Sequence, residues 1–451
     1  MSPVSAQSPH VLHVGLYSEL FDHVDVSQTR VTALLHERAA QGLPAAARDR
    51  VEEVAAVDVP HRLNNNDYDD HYPLFETAAL ALAERWGAPR AVVGLYEHTV
   101  VPAARLRARL GLPGLSLSTA LSCRDKVQMK HRVAAHGVLV PRFLDLADAD
   151  ADEVGAWLGT HAAPWVLKPK SEGGAIGVQI LQSTPECLAA VDTLGPEPGR
   201  WELEEFIEGD IHHLDAVVRE GRILFSVLSR YVGTCHDCAA HRQPLGSVTV
   251  DAVELRASAD ATADSVLEAL GIEDAVIHLE LFRRGEEWVF LEVACRHGGV
   301  SVVDHIRDVF DVDLIEESYL ANVMAPSRLS EVADRTPVRR YGGGSSGWLI
   351  VPMQVHGEHT VEAVSGPHGA PGVFGSSVPQ VGDVVDDAFR PFPTLGTFLL
   401  SGADEAAVLT DIETVVTTFE VALTPTTTHQ AAEPDRPVQV PVATASTEET
   451  L

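Results

Sequence analysis

At 451 residues the chain is too long for one small core and divides into about three units of moderate size. Its 45% apolar and 22% charged residues are those of a water-soluble globular protein, and its apolar runs, such as residues 78–83, stop far short of the ~20 residues a bilayer span needs. A formal net charge of −32 argues against a nucleic-acid partner and means that any polyanionic ligand must be met by locally gathered Lys and Arg.

The first residues lack the basic and apolar regions of a secretory signal, and an odd set of five scattered cysteines makes no disulfide framework, so a cytoplasmic location is expected. Residues 11–17 read as a first strand, 29–40 as a helix, 90–96 as another strand, and 100–110 as a helix closed by Gly111. Residues 1–118 thus form a small open-sheet α/β domain. In it Glu97, at the end of a strand where such sheets hold ligands, is a candidate substrate contact. A helix over 124–135 ends at His136 and Gly137, and Pro141 opens an extended segment. Residues 119–200 and 201–330 carry most of the strands and read as two α+β units. Residues 331–424 are a C-terminal α+β region that begins at the glycine run 342–344 and ends in a helix over 404–419. The Thr-, Pro- and Ala-rich tail 425–451, like the polar residues 1–9, buries nothing and is expected to be disordered.

The chemistry concentrates in the middle. In PWVLKPKSEGGAIGVQI a strand presents Lys168 and Lys170 on one face, and the loop 171–174 that follows is rich in glycine. Backbone N–H groups of such a loop can approach phosphate oxygens, although the Walker A spacing is absent. A hairpin turn with an exposed lysine fits the same residues. In WELEEFIEGD, Glu204 and Glu205 read on their own as a solvated acidic pair. IHHLDAVVREGRILFSVLSRYVG gives a strand, a turn at Glu220 and Gly221, and a second strand, with one of His212 and His213 pointing inward as a structural histidine. Cys235-His-Asp-Cys238 has His236 and His241 nearby but no second ligand pair, and reads as a loop with incidental thiols rather than a zinc site.

AVIHLELFRRGEEWVFLEVACRHGG is a hairpin. With Arg284 paired to Trp288 across a three-residue loop, Phe282 faces Phe290, Glu280 faces Glu292, and His278 faces Ala294. Carboxylates opposed across a ladder repel each other, so Glu280 and Glu292 call for a cation, and Mg²⁺ suits such an oxygen pair; a hydrated face is the other reading. Arg296, two positions past Ala294 on the same face, is placed to meet an anion held by that metal.

These features, in this order over about residues 90–325, resemble the ATP-grasp superfamily, in particular its carboxylate–amine ligases, including the L-amino acid ligases. The resemblance implies a preceding α/β domain and two α+β subdomains that clasp ATP. It implies that Lys126 and Lys168 contact the nucleotide phosphates, that Ser171, Gly173 and Gly174 belong to a mobile loop, and that the Glu204 carbonyl and Ile207 N–H read adenine. The neighbourhood of Glu208 would reach the ribose. Glu280 and Glu292 would bind Mg²⁺, or Mn²⁺ in its place, and Arg296 and Lys168 would act at the transferring phosphoryl group. Ala294 stands where the family commonly has Asn, so one metal ligand is missing. The implied reaction joins a small-molecule carboxylate to an amine, amino acids or a small peptide, through an acyl-phosphate, releasing ADP and phosphate; a homodimer is a separate expectation. A carboxylase acting on bicarbonate is the alternative within the fold, but no carrier motif built on Met-Lys occurs near the C-terminus. A non-catalytic ATP-binding module is the third, and it would not need both carboxylates.

Overall fold

The computed structural model of the chain describes residues 8–60, 66–195, 197–329, 344–387 and 392–426. The expected disorder of the first residues and of most of the tail, and the glycines at 342 and 343, lie outside these.

HVLHV, the strand His10–Val14, is buried at every position, as a parallel strand covered on both faces must be. It lies inside a four-stranded parallel sheet of order Glu53–Val57, Arg30–His36, His10–Val14, Ala91–Val93. The helix expected over 29–40 is therefore wrong: residues 30–36 are a strand, and only Glu37–Gln41 is helical. RVTALLH is buried through its middle, and a continuous apolar run has no period to separate a covered strand from a helix; the β-branched Val31 and Thr32 were the signal available. Helix Val100–Leu110 closes on Gly111 and leaves Glu97 at the carboxyl end of Ala91–Val93.

A second sheet, of order Phe143–Asp145, Trp201–Glu205, Trp165–Pro169, Gln179–Leu181, is antiparallel throughout. Helices Ala151–Thr160 and Thr184–Asp192 cover one face through Val154, Leu158, Cys187 and Ala190. Its other face carries the charged residues of the site.

The largest sheet has eight strands, in the order Glu287–Ala294, Ala275–Arg284, Asp210–Arg219, Arg222–Val232, Leu245–Thr249, Ser345–Pro352, Thr394–Gly402, Val373–Ser377. The C-terminal region is thus woven into the same sheet as the central one. Helices Lys126–Ala135 and Val253–Leu270 bury one face with Leu214, Ala216, Ile277 and Phe290. Both His212 and His213 are buried, not one of them, because this strand is interior and both its faces are covered. After the helix Glu405–Thr418, a strand Glu420–Pro425 pairs with His359–Ser365, so Pro425 belongs to the fold and not to the tail. No helix among the described residues is long and apolar enough to cross a membrane.

The hairpin at 275–294 corrects the expected register. His278 faces Ala294 and Glu280 faces Glu292, but beyond them Leu281 pairs with Phe290, Phe282 with Val289, and Arg284 with Glu287. The turn has two residues, with Gly285 at φ 61° as so tight a reversal requires, and Leu291 is the extra residue of a bulge that takes up the difference. The bulge sends Trp288 and Phe290 into the core and leaves Leu291 beside Glu292 on the cavity face.

Candidate active site

The small sheet and the eight-stranded sheet face each other across a cavity of about 620 Å³. Lys126, Lys168, Gly173, Gly174, Glu204, Ile207, Glu280, Glu292 and Arg296 all line it. Ser171 and Glu208 do not; Glu208 is exposed, and Asp210 occupies the wall on that side.

Lys126 opens its helix, where Asp125 caps the backbone N–H groups of Val127 and Gln128. Its Nζ is 3.0 Å from Glu292 Oε2 and donates to the Glu172 carbonyl at 2.5 Å. The glycine loop is thereby tied to the helix, and Asn66 Nδ2 donates to Glu172 Oε1 at 2.6 Å, which ties the loop to the first domain as well. Gly173 and Gly174 line the cavity, with Gly174 at φ 63°.

Lys168 lies opposite Glu202 in the small sheet, and its Nζ donates to Glu204 Oε1 at 2.5 Å. Lys130, for which the sequence gives no signal, is fully buried and reaches Glu202 at 2.7 Å and Glu204 at 2.6 Å. Glu204 is therefore no solvated acid. Burial pushes its carboxyl up, but Lys130 and Lys168 outweigh that and hold it at about 2. Burial likewise works against the Lys168 ammonium, and Glu204 and Glu202 reverse it, so Lys168 stays charged. The available signal was alternation: Glu202 and Glu204 on one strand match the charge of the lysines on its neighbour.

On the other wall, Glu280 and Glu292 face each other as expected. Tyr231 donates its hydroxyl to Glu280 Oε1 at 2.9 Å, and His278 Nε2 lies 3.3 Å from the same oxygen. His278 Nδ1 is 2.8 Å from Asp215, whose other oxygen is 2.7 Å from His213 Nδ1. Burial lowers the His278 pKa, but Asp215 more than restores it, to about 10. This His–Asp–His group is the one described cluster with metal-ligand spacing, but the Asp215 oxygens are taken by hydrogen bonds to both rings, so it reads as a support that orients Glu280. Gly298 is required there, because a Cβ would lie 2.8 Å from Asp215 Oδ1 and 2.9 Å from His278 Nδ1.

Arg296 does not wait unpaired. Its Nε bonds Glu97, whose other oxygen is 2.8 Å from Arg124 Nη1. Burial raises the Glu97 carboxyl, and Arg296 and Arg124 overcome this to hold it at about 2. Glu97 thus joins the first domain to the site, a stronger position than its sequence context suggested. Cys235-His-Asp-Cys238 is not a loop but the start of the helix Cys235–His241, capped by Thr234, and Cys235 lines the cavity.

This pairing of a parallel α/β domain with two sheets that enclose a cavity is the ATP-grasp fold. No family model matches the chain. A solved structure of L-amino acid ligase from Bacillus licheniformis superposes with a TM-score of 0.69 at 16% identity, covering 92% of this chain and 98% of that one. The biotin carboxylase domain of 2-oxoglutarate carboxylase from Hydrogenobacter thermophilus, solved with MgADP and bicarbonate, superposes with a TM-score of 0.65 at 16% identity over 92% and 90%. In sequence the chain is similar to carboxylate–amine ligases. It is 28% identical over 251 residues to the L-arginine-specific L-amino acid ligase of Bacillus subtilis, an alignment that covers 53% of this chain and 59% of that relative's length.

Proposed function

We propose that the chain is an ADP-forming ligase that activates a carboxylic acid as an acyl-phosphate and transfers the acyl group to an amine. The observation that carries this reading is the placing of Glu280 directly opposite Glu292 in a cavity that also gathers Lys126, Lys168 and Arg296 from a chain of net charge −32. Opposed carboxylates fit a divalent cation, and Lys168 on the facing sheet together with Lys126 at the start of its helix fits the phosphates of ATP. Mg²⁺ held by Glu280 and Glu292 would neutralise charge on the phosphates during transfer.

The chain's own groups divide the remaining work. Lys126 and Lys168, both now held by carboxylates, exchange those partners for phosphate oxygens. Arg296 turns from Glu97 toward the phosphoryl group as the acid's oxygen attacks phosphorus, and stabilises the charge that develops there. The oxygen of Glu97 that Arg296 leaves, its other oxygen still on Arg124, is then free to hold the incoming amine, which attacks the acyl carbon as the neutral base and gives up a proton to the departing phosphate. The glycine loop, tied by Lys126 and Asn66, keeps water from the acyl-phosphate. The small-molecule substrates are amino acids or a small peptide, and the curated relative's name supports that class. Five free thiols support a cytoplasmic location, and assembly as a homodimer is checked by light scattering.

The test is phosphate release from ATP over a matrix of carboxylic acids and amines, with mass detection of the product. An amide product that requires both an acid and an amine, with ADP formed one for one, supports the ligase. Turnover that requires bicarbonate and no amine replaces it with a carboxylase, and ATP binding without turnover replaces it with a binding module.

A further inference from the structure

Two rows of side chains cross the cavity face of the eight-stranded sheet. In the first, Glu292, Glu280, His213 and Ser229 lie opposite one another on successive strands. The second is two residues along the strands and so on the same face; in it Tyr231, Ser247 and Trp348 lie opposite one another on three strands. Tyr231 joins the rows, since its hydroxyl donates to Glu280 and its ring meets that of Trp348 edge-on with centroids 6.3 Å apart. Leu245, Cys235 and Phe392 complete an apolar end of the cavity around them.

Trp348 is 1% exposed, yet its Nε1–H has no partner. His236 Nδ1, at the same end, is also buried without one, and among the described residues these are the only such side-chain atoms in the cavity lining. Native proteins rarely leave a buried donor unmet, because its lost hydration is not recovered. The charged groups at this end are already engaged, Arg230 by Glu405 and Asp237 by the Thr234 hydroxyl at 2.8 Å. A charged side chain buried here would find no free counterion, whereas an apolar one would find a wall of rings.

We propose that this end of the cavity is the specificity pocket for the acid, and that it takes a carboxylic acid with an extended aromatic or aliphatic side chain ending in an oxygen acceptor for the Trp348 N–H. This rests on the ligase reading, which puts the acid's carboxylate beside Glu280 and Arg296; from there the side chain runs along the Tyr231 ring to the indole. Trp348 selects the acid and leaves the handling of ATP untouched.

The test uses the full chain with ATP, Mg²⁺ and hydroxylamine, which captures an acyl-phosphate as a hydroxamate whatever the natural amine. The acids are matched pairs of aromatic and aliphatic carboxylates with and without a terminal oxygen. Trp348→Phe keeps a ring but removes the donor. It should lower kcat/KM for the oxygen-bearing acids at least tenfold through KM, while KM for ATP and the values for their oxygen-free partners stay as in the wild type. If Trp348→Phe melts well below the wild type, Trp348→Met, which keeps apolar bulk without the donor, replaces it and must show the same selective loss. An unchanged ranking of acids overturns the pocket while the ligase stands. Should no acid support turnover, melting temperatures with ATP and Mg²⁺ decide. A rise caused by an oxygen-bearing acid in the wild type but not in Trp348→Phe keeps the pocket and removes the ligase, and no acid-dependent rise removes both.

Discussion

The two walls of the cavity handle buried charge in opposite ways. On the small sheet, Lys168 and, reaching in from the helix Lys126–Ala135, Lys130 face Glu202 and Glu204, two cations against two anions, with contacts of 2.5–2.7 Å between Lys168 and Glu204 and between Lys130 and both carboxylates. That wall is electrically closed. On the large sheet, Glu280 and Glu292 oppose each other; Glu280 has His278 of its own strand beside it, and Glu292 has only Lys126, from the helix packed on this sheet, as its ion-pair partner among the described residues. That wall is open to one more cation. A closed network serves the fold and fixes side chains, while an open one is a binding site whose own repulsion is relieved by what it binds.

The comparison is sharpened most by Glu292→Gln and Glu280→Gln. Each should reduce ADP formation on the order of a thousandfold, the several kcal/mol that charge stabilisation commonly supplies to phosphoryl transfer. Glu292→Gln should leave the melting temperature nearly unchanged, whereas Glu280→Gln gives up its pairing with His278 and should cost a little stability, far less than the loss of activity. A stability loss equal to the activity loss would make the pair structural. Lys130→Met should do the reverse and cost about 3–5 kcal/mol of stability by leaving two buried carboxylates short of a cation, with partial recovery when Glu202→Gln is added. Chemical denaturation of the single and double variants measures it, and additive losses would contradict the closed network.

The smallest effect separates both walls from general acid unfolding. Burial lowers His13 to about 3, His98 to about 4 and His212 to about 4, so all three are neutral in the fold. Their unfolded forms take up protons near pH 6.5 while the folded forms do not, so the stability they contribute is present above that pH and is lost as pH falls toward 4. The melting temperature should drop by several degrees over this window, equally in the wild type and in Glu292→Gln. A drop that depends on Glu292 would mean that the open wall controls acid stability.

These walls were legible in the sequence to different degrees, for physical reasons. Glu280 opposite Glu292 follows from the expected Arg284–Trp288 register, and it holds although that register does not, because the bulge restores the one residue by which the turn is shorter. The bulge at Leu291 does not follow from the sequence, because a two-residue turn at Gly285 and a three-residue one differ by a single residue that either strand can absorb. Lys130 was invisible because its partners lie more than 70 positions away and its helix reads as amphipathic without it. Glu204 looked solvated because acidic pairs usually are, and only its place on an interior strand buries it. The same non-locality hid Trp348, whose strand joins the sheet beside Leu245–Thr249 across about a hundred intervening residues. Strand 30–36 was misread for the opposite reason: its covering on both faces removed the alternation that would have marked it.

The central claim is that activation passes through a mixed anhydride on the acid, formed over the open wall and not on an enzyme nucleophile. With an acid carrying ¹⁸O in its carboxylate, an amine, and ATP, one labelled oxygen should appear in the released inorganic phosphate, because the oxygen that attacks the γ-phosphorus leaves with it. Label in AMP, with pyrophosphate released, would contradict the account.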